Sequence, residues 1–288
     1  MSATPQTAFR SSAYRPGPIG LIVEGVSEIW SRRRLIRYLV RADLKKRGTD
    51  TLLGNVWWVI DPLLLMIVYV ILVSVIRAGL SNPEDYPLFI FCAILPWKWF
   101  TASTNDSIAS VSGQERLIKQ LHFPKVIFPV ASSAAEIVGF LFGLIPLGVL
   151  MLLLYRDRLS PWLLLLPVVA VVQYAFTLAL AFLISAVNVF YRDVANVSRH
   201  FLRLWFYLSP GLYSVKAIED IGRTNPIVAN VMLLNPFATF FESYRNVIYN
   251  DTAPLWGHLA AWLVASVVFG ALTLLFFKRA EPSFAKVL

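Results

Sequence analysis

Long apolar stretches separated by short polar segments form the main hydrophobic pattern along this chain. A helix needs about 20 mostly apolar residues to cross a hydrocarbon core of roughly 30 Å, so each long stretch predicts a membrane-spanning helix. Six stretches fit, although the fifth fits only if its first, charged turns lie in water or among lipid headgroups. The predicted spans are residues 57–76, 87–107, 126–154, 162–190, 194–215 and 256–277.

The connection between the fifth and sixth spans contains a further apolar element, over residues 226–245. Ile227 to Phe241 carries no charge, yet it is too short to span and too apolar for an exposed loop. We therefore predict a re-entrant helical pair with its break at Asn235-Pro236, followed by Phe237. Such backbone persists at membrane depth only when it is buried in protein or lines a cavity. The alternative is an extracellular loop packed on the spans.

The segment before the first span divides into two parts. Residues 1–20 are rich in Pro, Ser, Thr and Gly, and residues 1–27 are predicted to form a flexible tail, whereas residues 28–56 are predicted to form an amphipathic interfacial helix. On a helical wheel Leu35, Ile36, Leu39, Val40 and Leu44 occupy one half, and Arg34, Arg37, Arg41 and Lys45 occupy a narrow arc opposite. Such a helix suits an anionic inner leaflet, although basic residues here can also act as a plain topology anchor.

Composition excludes most other protein classes. Hydrophobic residues make up 57% of the 288 residues and charged residues only 15%, against about 25% charged in an ordinary soluble domain. A soluble globular protein, a disordered chain and a disulfide scaffold are therefore excluded, the last because Cys92 is the single cysteine.

The excess of basic residues, 26 Lys and Arg against 17 Asp and Glu, indicates orientation rather than nucleic-acid binding. With six spans, nineteen basic residues fall on the side of the two termini and six on the other side. Lys and Arg collect in the cytoplasm, so both termini are predicted to be cytoplasmic. No cleavable signal pattern precedes the first span, which should remain as an anchor. The predicted fold is an all-α integral membrane protein with six transmembrane helices.

Sequence signatures of catalysis are missing. There is no Gly-Lys dipeptide and hence no Walker A phosphate loop, and there is no His-Glu-x-x-His, Cys pair or Gly-x-Ser-x-Gly motif. We predict no catalytic residue, cofactor site or metal site in this chain. A membrane protein without chemistry of its own suggests an external energy source.

Several short motifs resemble those of one family, the polysaccharide subgroup of ABC-2 type exporter permeases. They occur in the family's order over roughly residues 30–288: Leu53-Gly54 with Trp57 and Pro62, Leu117-Ile118-Lys119 with Phe123-Pro124, Tyr191-Arg192-Asp193, Ser209-Pro210 with Tyr213, Asn235-Pro236, and Phe284-Ala285. Each motif alone is weak, but six in order on the predicted topology are fairly specific.

The resemblance implies a permease subunit of an ABC exporter in the bacterial cytoplasmic membrane. Two copies of the chain would form a homodimer with two separate ATP-binding subunits, which would hold the ATP and Mg. The substrate would be a polysaccharide, such as an O antigen, capsule, teichoic acid or galactan, on a polyprenyl pyrophosphate carrier. The alternatives are an ABC-2 permease for a small lipid or drug and, as a weaker reading, a membrane-embedded glycan-processing enzyme.

The same resemblance directs attention to three groups of residues. Aromatic residues of the first and fifth spans would stack on sugar rings in the channel, namely Trp57, Trp58, Tyr69, Trp205, Tyr207 and Tyr213, unless they form only an interfacial aromatic belt. The inner-mouth arginines, Arg33, Arg34, Arg37 and Arg41, would receive the pyrophosphate, unless they only attract lipid. Glu115, Arg116, Leu117 and Lys119 would belong to a helix that docks in the ATPase, unless this is a solvated loop.

Three ionisable residues lie at predicted membrane depth, where they are costly. Asp61 precedes Pro62 in the first span, Lys98 lies in the second and Glu136 in the third. One interpretation pairs Lys98 with Glu136. The other gives Lys98 a backbone carbonyl as its partner or lets it snorkel to the interface. Gly139 and Gly143 form a Gly-x-x-x-Gly pattern, which is often coincidental in membrane helices.

Overall fold

Helices account for all the regular secondary structure in the described part of the chain. The computed structural model describes residues 17–48, 52–76, 85–120 and 123–288. The helices are α1 (Pro18–Ser31), α2 (Arg33–Gly48), α3 (Trp57–Ile76), α4 (Tyr86–Ile108), α5 (Glu115–Gln120), α6 (Ile127–Leu154), α7 (Leu166–Phe190), α8 (Val194–Leu208), α9 (Val215–Thr224), α10 (Pro226–Leu233), α11 (Pro236–Ile248) and α12 (Trp256–Val287). Short 3₁₀ turns occupy Gly54–Val56, Ser112–Gln114, Arg156–Arg158 and Pro161–Leu165.

Three helical segments in the described residues are long and apolar enough to cross a membrane: Ile127–Leu154, Pro161–Phe190 and Trp256–Val287. In α3 the apolar segment Trp57–Leu72 is shorter. Helix α4 contains the charged residues Lys98 and Asp106, and α8 contains Arg199 and Arg203. The all-helical prediction is confirmed, whereas the count of six spans stays a prediction.

The bounds predicted for the first four spans lie close to those of the corresponding helices, and those predicted for the last two agree less well. Helix α8, which corresponds to the predicted fifth span, ends at Leu208 rather than at residue 215, because Ser209-Pro210 begins an irregular segment before α9. At 1.5 Å per residue its 15 residues extend only about 22 Å. The last helix, α12, continues ten residues beyond the predicted end at 277 and places Lys278 and Glu281 on a helix.

The N-terminal prediction needs a correction. Residues 1–16 lie outside the described residues, but residues 18–27, which were predicted to belong to a flexible tail, form most of α1, so the prediction is wrong for them. Pro18 occupies the first turn, where its missing N–H costs nothing. Gly25 lies against the Leu274 side chain of α12. The helix is therefore stabilised by tertiary packing, which the composition of the segment did not reveal.

The predicted interfacial helix, residues 28–56, is divided rather than continuous. Its first residues belong to α1, the chain turns at Arg32, and α2 supplies the amphipathic part. Residues 49–51 lie outside the described residues, and a 3₁₀ turn at Gly54–Val56 leads into α3.

Two apolar clusters organise the bundle. The larger one surrounds α4, where Phe91 and Phe100 are fully buried, and it includes Phe237, Phe240 and Phe241 of α11. The ring centroids of Phe100 and Phe237 lie 4.6 Å apart. The smaller one gathers Val111, Ile118, Val126, Phe277 and Phe284 and so joins α5 to the last turns of α12. These clusters position two polar sites, one at each end of the bundle.

Candidate functional site

At the end of the bundle that holds α1, α2 and α5, one arginine joins three helices. Arg47 of α2 pairs with Asp43 of its own helix at 2.6 Å, with Asp106 of α4 at 2.5 Å, and with the buried Glu136 of α6. Burial of the guanidinium alone would lower its pKa, but the three carboxylates outweigh this effect and raise the pKa of Arg47. The network fastens α2 to the bundle by charge.

A second ion-pair network fastens α1. Lys278 of α12 lies 2.8 Å from Glu28 and 3.5 Å from Glu24, both on α1, and 2.9 Å from Glu281 on its own helix. Burial raises the pKa of Glu28, and the Lys278 ammonium opposes that shift. Helices α1 and α2 are thus held to the bundle by these ion pairs as well as by apolar residues such as Ile29 and Ile36, and the opposite face of each helix is uncovered.

The four inner-mouth arginines lie on the uncovered face of α2. Arg33, Arg34, Arg37 and Arg41 are all exposed. Arg33 donates to the carbonyl of Trp30 at 3.1 Å and lies 5.4 Å from its ring. Arg33, Arg37 and Arg41 are spaced by four residues, so they share one face. Their proposed role toward phosphate stays a prediction.

The predicted docking helix is α5, and its charged residues point outward. Glu115, Arg116, Leu117 and Lys119 are exposed, whereas Ile118 is only 4% exposed and anchors the helix in the smaller apolar cluster. Lys119 donates to Glu115 and to the backbone carbonyl of Leu288, both at 2.6 Å. The Lys119 ammonium lowers the pKa of Glu115. Helix α5 is therefore anchored through its inner face at Ile118, and its outer face is available to contact a partner.

Of the six predicted channel aromatics, the structure brings three together. Tyr69 of α3 lies close to Tyr207 of α8 and packs on the neighbouring Phe206, with ring centroids 5.7 Å apart, and the Tyr213 hydroxyl donates to the Tyr207 carbonyl oxygen at 3.4 Å. Trp57 and Trp58 stand at the opposite end of α3, about 17 Å from Tyr69 along the helix. Trp57 is exposed, and Trp58 contacts Phe142.

Trp205, the sixth aromatic residue, belongs to a packed cluster rather than to the tyrosine group. Its ring meets Trp97, Phe100 and Phe237 edge to face. Its indole N–H donates to the Asn235 side-chain oxygen at 3.0 Å, so this polar edge is already engaged.

The break at Asn235-Pro236 is where helices α10 and α11 meet. The Asn235 oxygen also accepts from the Phe237 backbone N–H, which caps α11, while the Asn235 amide donates to the Ser209 hydroxyl at 2.7 Å. Asn235 and Pro236 are buried, and Phe237 is fully buried. The predicted helix pair is therefore present, and its break is joined directly to the irregular segment that follows α8.

A residue that the sequence did not single out holds the same irregular segment. Arg245 of α11 is 1% exposed, and its guanidinium donates to the carbonyls of Gly211 at 2.7 Å and Tyr213 at 3.2 Å. Its charge lies 3.7 Å from the centre of the Phe89 ring and 3.8 Å from Glu242. Buried carbonyls outside a helix need such donors. The sequence signal that could have identified Arg245 is an arginine within the aromatic-rich segment 236–248.

Lys98 pairs with Asp61 at 3.0 Å and not with Glu136, which binds Arg47 instead, so the proposed Lys98–Glu136 pair is wrong. The partner of Glu136 is Arg47 of α2, which lies 89 residues earlier in the sequence, so proximity along the chain does not predict this pair. Both ion pairs border a cavity of about 220 Å³ between α2, α3, α4 and α6. In the described residues no group of three His, Cys, Asp or Glu has the arrangement of a metal site.

Comparison with known proteins gives a consistent result. The family model described as ABC-2 type transporter matches residues 34–249. An O-antigen export system permease protein RfbA from Myxococcus xanthus is 32% identical over 243 residues, which are 84% of this chain and 91% of that protein. A protein of the same name from Klebsiella pneumoniae is 28% identical over 256 residues, which are 88% of this chain and 95% of that protein.

Proposed function

The chain belongs to the ABC-2 type transporter family, and from that premise we propose that it is the membrane permease subunit of an ABC exporter for a lipid-linked polysaccharide. The observation that carries the substrate class is the similarity to two O-antigen export permeases over more than four fifths of this chain. In this role the chain is a transport subunit and not itself an enzyme. ATP and Mg would be bound by a separate subunit.

The proposed arrangement is a homodimer with two ATP-binding subunits in the bacterial cytoplasmic membrane. Six spans would be α3, α4, α6, α7, α8 and α12, with both termini in the cytoplasm. Contacts at one end of the bundle support a common side for α1, α2, α5 and the last turns of α12: Lys278 reaches Glu28, and Lys119 reaches the Leu288 carbonyl. In the predicted topology this side also carries most of the Lys and Arg residues.

The short α8 fits a re-entrant outer element. Because α8 is too short to cross about 30 Å of hydrocarbon, the irregular segment after it would lie at membrane depth. Arg245 donates to the Gly211 and Tyr213 carbonyls of that segment, which is what buried non-helical backbone requires, and the Asn235 amide holds the Ser209 hydroxyl at its start. We therefore place α10 and α11 in the outer half of the membrane.

The translocation path would run along α3 and α8. Tyr69, Tyr207 and Tyr213 form one group there and combine flat rings with hydroxyl groups, as sugar binding requires. The exposed arginines Arg33, Arg34, Arg37 and Arg41 would receive the pyrophosphate at the inner mouth, since a guanidinium matches phosphate with paired hydrogen bonds.

Force from the ATPase would enter through α5. Its outward residues Glu115, Arg116 and Lys119 offer charge to a partner, and Ile118 transmits displacement into the smaller apolar cluster with Phe277 and Phe284. The polar contact from Asn188 of α7 to Ser112 at 3.0 Å ties the start of this connection to the bundle.

The direct test is export in a cell. Expressed together with an ATP-binding subunit of an O-antigen exporter, the chain should restore surface polysaccharide to a bacterium that lacks its own O-antigen export permease and makes the matching glycan. Lipid-linked polymer should move from the cytoplasm to the cell surface, measured by surface labelling with lectin or antibody. Restored growth in the presence of a drug or transport of a small lipid, with no effect on surface glycan, would instead support the rival ABC-2 activity.

A further inference from the structure

The cavity between α2, α3, α4 and α6 combines charged groups with indole rings in an unusual way for membrane depth. Its charged lining consists of Asp61, Asp106 and Glu136 against Arg47 and Lys98. Trp58 and Trp99 supply the two indole groups. None of these groups belongs to the tyrosine group along α3 and α8, and among the described side chains of α2 Arg47 alone lines the cavity.

The charge balance argues against a phosphate ligand. Both cations are already paired with carboxylates, Arg47 with Asp106 and Glu136, and Lys98 with Asp61. Three carboxylates against two cations would repel a further anion. The same groups keep spare hydrogen-bonding capacity, because a carboxylate has about four acceptor positions, an ammonium three donors and a guanidinium five. A neutral ligand with many hydroxyl groups can use both kinds.

Trp99 forms a packed wall of the cavity. Its ring stacks on Phe140, with 4.5 Å between ring centroids, and on Tyr174, with 5.9 Å between ring centroids. Its indole N–H is buried and so does not face the cavity. Trp99 therefore supports the shape of the cavity, and the charged lining groups and Trp58 are the groups that can contact a ligand.

From this geometry we propose that the cavity is a binding pocket for one neutral sugar ring of the transported glycan, beside the translocation path. The inference rests on the proposed export function and adds a substrate-binding site to it. The carboxylates accept from sugar hydroxyls, Lys98 donates to them, and Trp58 offers its ring to the apolar C–H face.

Two glycines of α6 provide a matched pair of variants. A Cβ at Gly139 would lie 3.6 Å from a Glu136 carboxylate oxygen and 3.9 Å from Trp58, so Gly139→Leu should enter without a backbone clash and extend into the cavity. Gly148 has no atom within 4 Å of the equivalent position, so Gly148→Leu makes the same change on the same helix away from the cavity. Both variants gain about 1 kcal/mol of helix propensity.

Saturation-transfer NMR on the full chain in lipid nanodiscs, free of glycoside detergents, tests binding. The probes are methyl glycosides of mannose, galactose, glucose and rhamnose, with phosphoethanolamine and inorganic phosphate as comparison ligands. At least one glycoside should receive saturation from wild type and from Gly148→Leu, and at least fivefold less from Gly139→Leu. Trp58→Leu, which removes the ring offered to the sugar C–H face, should reduce the signal at least twofold and is the second test if Gly139→Leu does not fold.

Equal glycoside signals in all variants, no glycoside signal in wild type, or a signal only from the phosphate-bearing probes would overturn the proposal.

The export assay distinguishes failure of the proposed function from failure of the proposed sugar pocket. If wild type does not restore surface glycan, the proposed function fails. If wild type and Gly139→Leu restore it equally while glycoside binding is lost, the function stands and the pocket does not serve the transported glycan. We expect export by Gly139→Leu to fall at least threefold.

Discussion

Arg245 in α11 and Arg47 in α2 each join separate parts of the chain, but their partners are of opposite kinds. Arg245 is almost completely buried and donates to two neutral backbone carbonyls of the segment after α8. Arg47 has a side chain that is 27% exposed and is held by three carboxylates from α2, α4 and α6. One arginine completes a packed structure, and the other compensates charge between helices.

The difference indicates which end of the molecule can move. Opening the contacts of Arg245 would leave carbonyls and a cation without partners inside an aromatic cluster, so this end should stay fixed. Water reaches the Arg47 network at Asp43 and Asp106, which are partly exposed, and water can replace a lost partner there. Helix α2, which carries the exposed inner-mouth arginines, is therefore fastened in a way that permits release.

The largest effect is expected from Arg245→Met. The change leaves the Gly211 and Tyr213 carbonyls without their donor, at about 1–3 kcal/mol for each buried group, so the free energy of unfolding should fall by about 2–5 kcal/mol. Thermal unfolding followed by size-exclusion chromatography measures this loss. Arg223→Met removes an arginine that is 85% exposed and serves as the control, with a change below about 0.5 kcal/mol. Similar losses in the two variants would show that Arg245 does not clamp the segment.

A smaller and more local effect is expected from Arg47→Gln. This change leaves Glu136 buried without its cation, which costs about 3–5 kcal/mol for a fully buried pair and less here, because Arg47 is partly exposed. Backbone amides of α2 should exchange with deuterium at least tenfold faster, while those of α11 should not change. Lys45→Gln, an exposed position on the same helix, is the control.

The double variant Arg47→Gln with Glu136→Gln tests whether the two side chains are energetically coupled. Removing the buried carboxylate charge should recover part of the loss, because two neutral amides replace one unpaired ion. If the double variant is as unstable as the sum of the two single variants, the arginine and the glutamate are not energetically coupled and α2 is held by its apolar face alone.

The structural features that can be predicted from the sequence are those that depend on residues close to one another along the chain. The apolar run that defines α3 and the break at Asn235-Pro236 were predictable, because length, apolarity and proline act on neighbouring residues. Helix α1 was not, since its stability comes from Leu274 and Lys278, about 250 residues further along the chain. The apolar residues of α1, such as Ile22 and Ile29, indicate a packed segment but do not indicate which part of the chain it packs on.

Partner choice was the other part that the sequence could not supply. Lys98, Asp61 and Glu136 were recognised as costly residues at membrane depth, but their pairing depends on how α3, α4 and α6 are rotated about their axes. That rotation is set by contacts such as Gly143 against Leu95, where a side chain larger than hydrogen would clash. The exposed arc of arginines on α2 was predictable because it needs only helical periodicity.

The smallest expected effect comes from salt, and it tests the comparison without any mutation. Raising the ionic strength from about 0.1 to 1 M shortens the screening length from about 10 to 3 Å, which weakens partly exposed ion pairs and leaves buried hydrogen bonds unaffected. The pairs of Arg47 with Asp43 and Asp106 should lose less than about 1 kcal/mol, so deuterium exchange in α2 should accelerate a few-fold. Exchange in α11, held by Arg245, should stay constant. Equal acceleration in both helices would mean that salt loosens the whole bundle, and the two ends would then not differ in the way their arginines suggest.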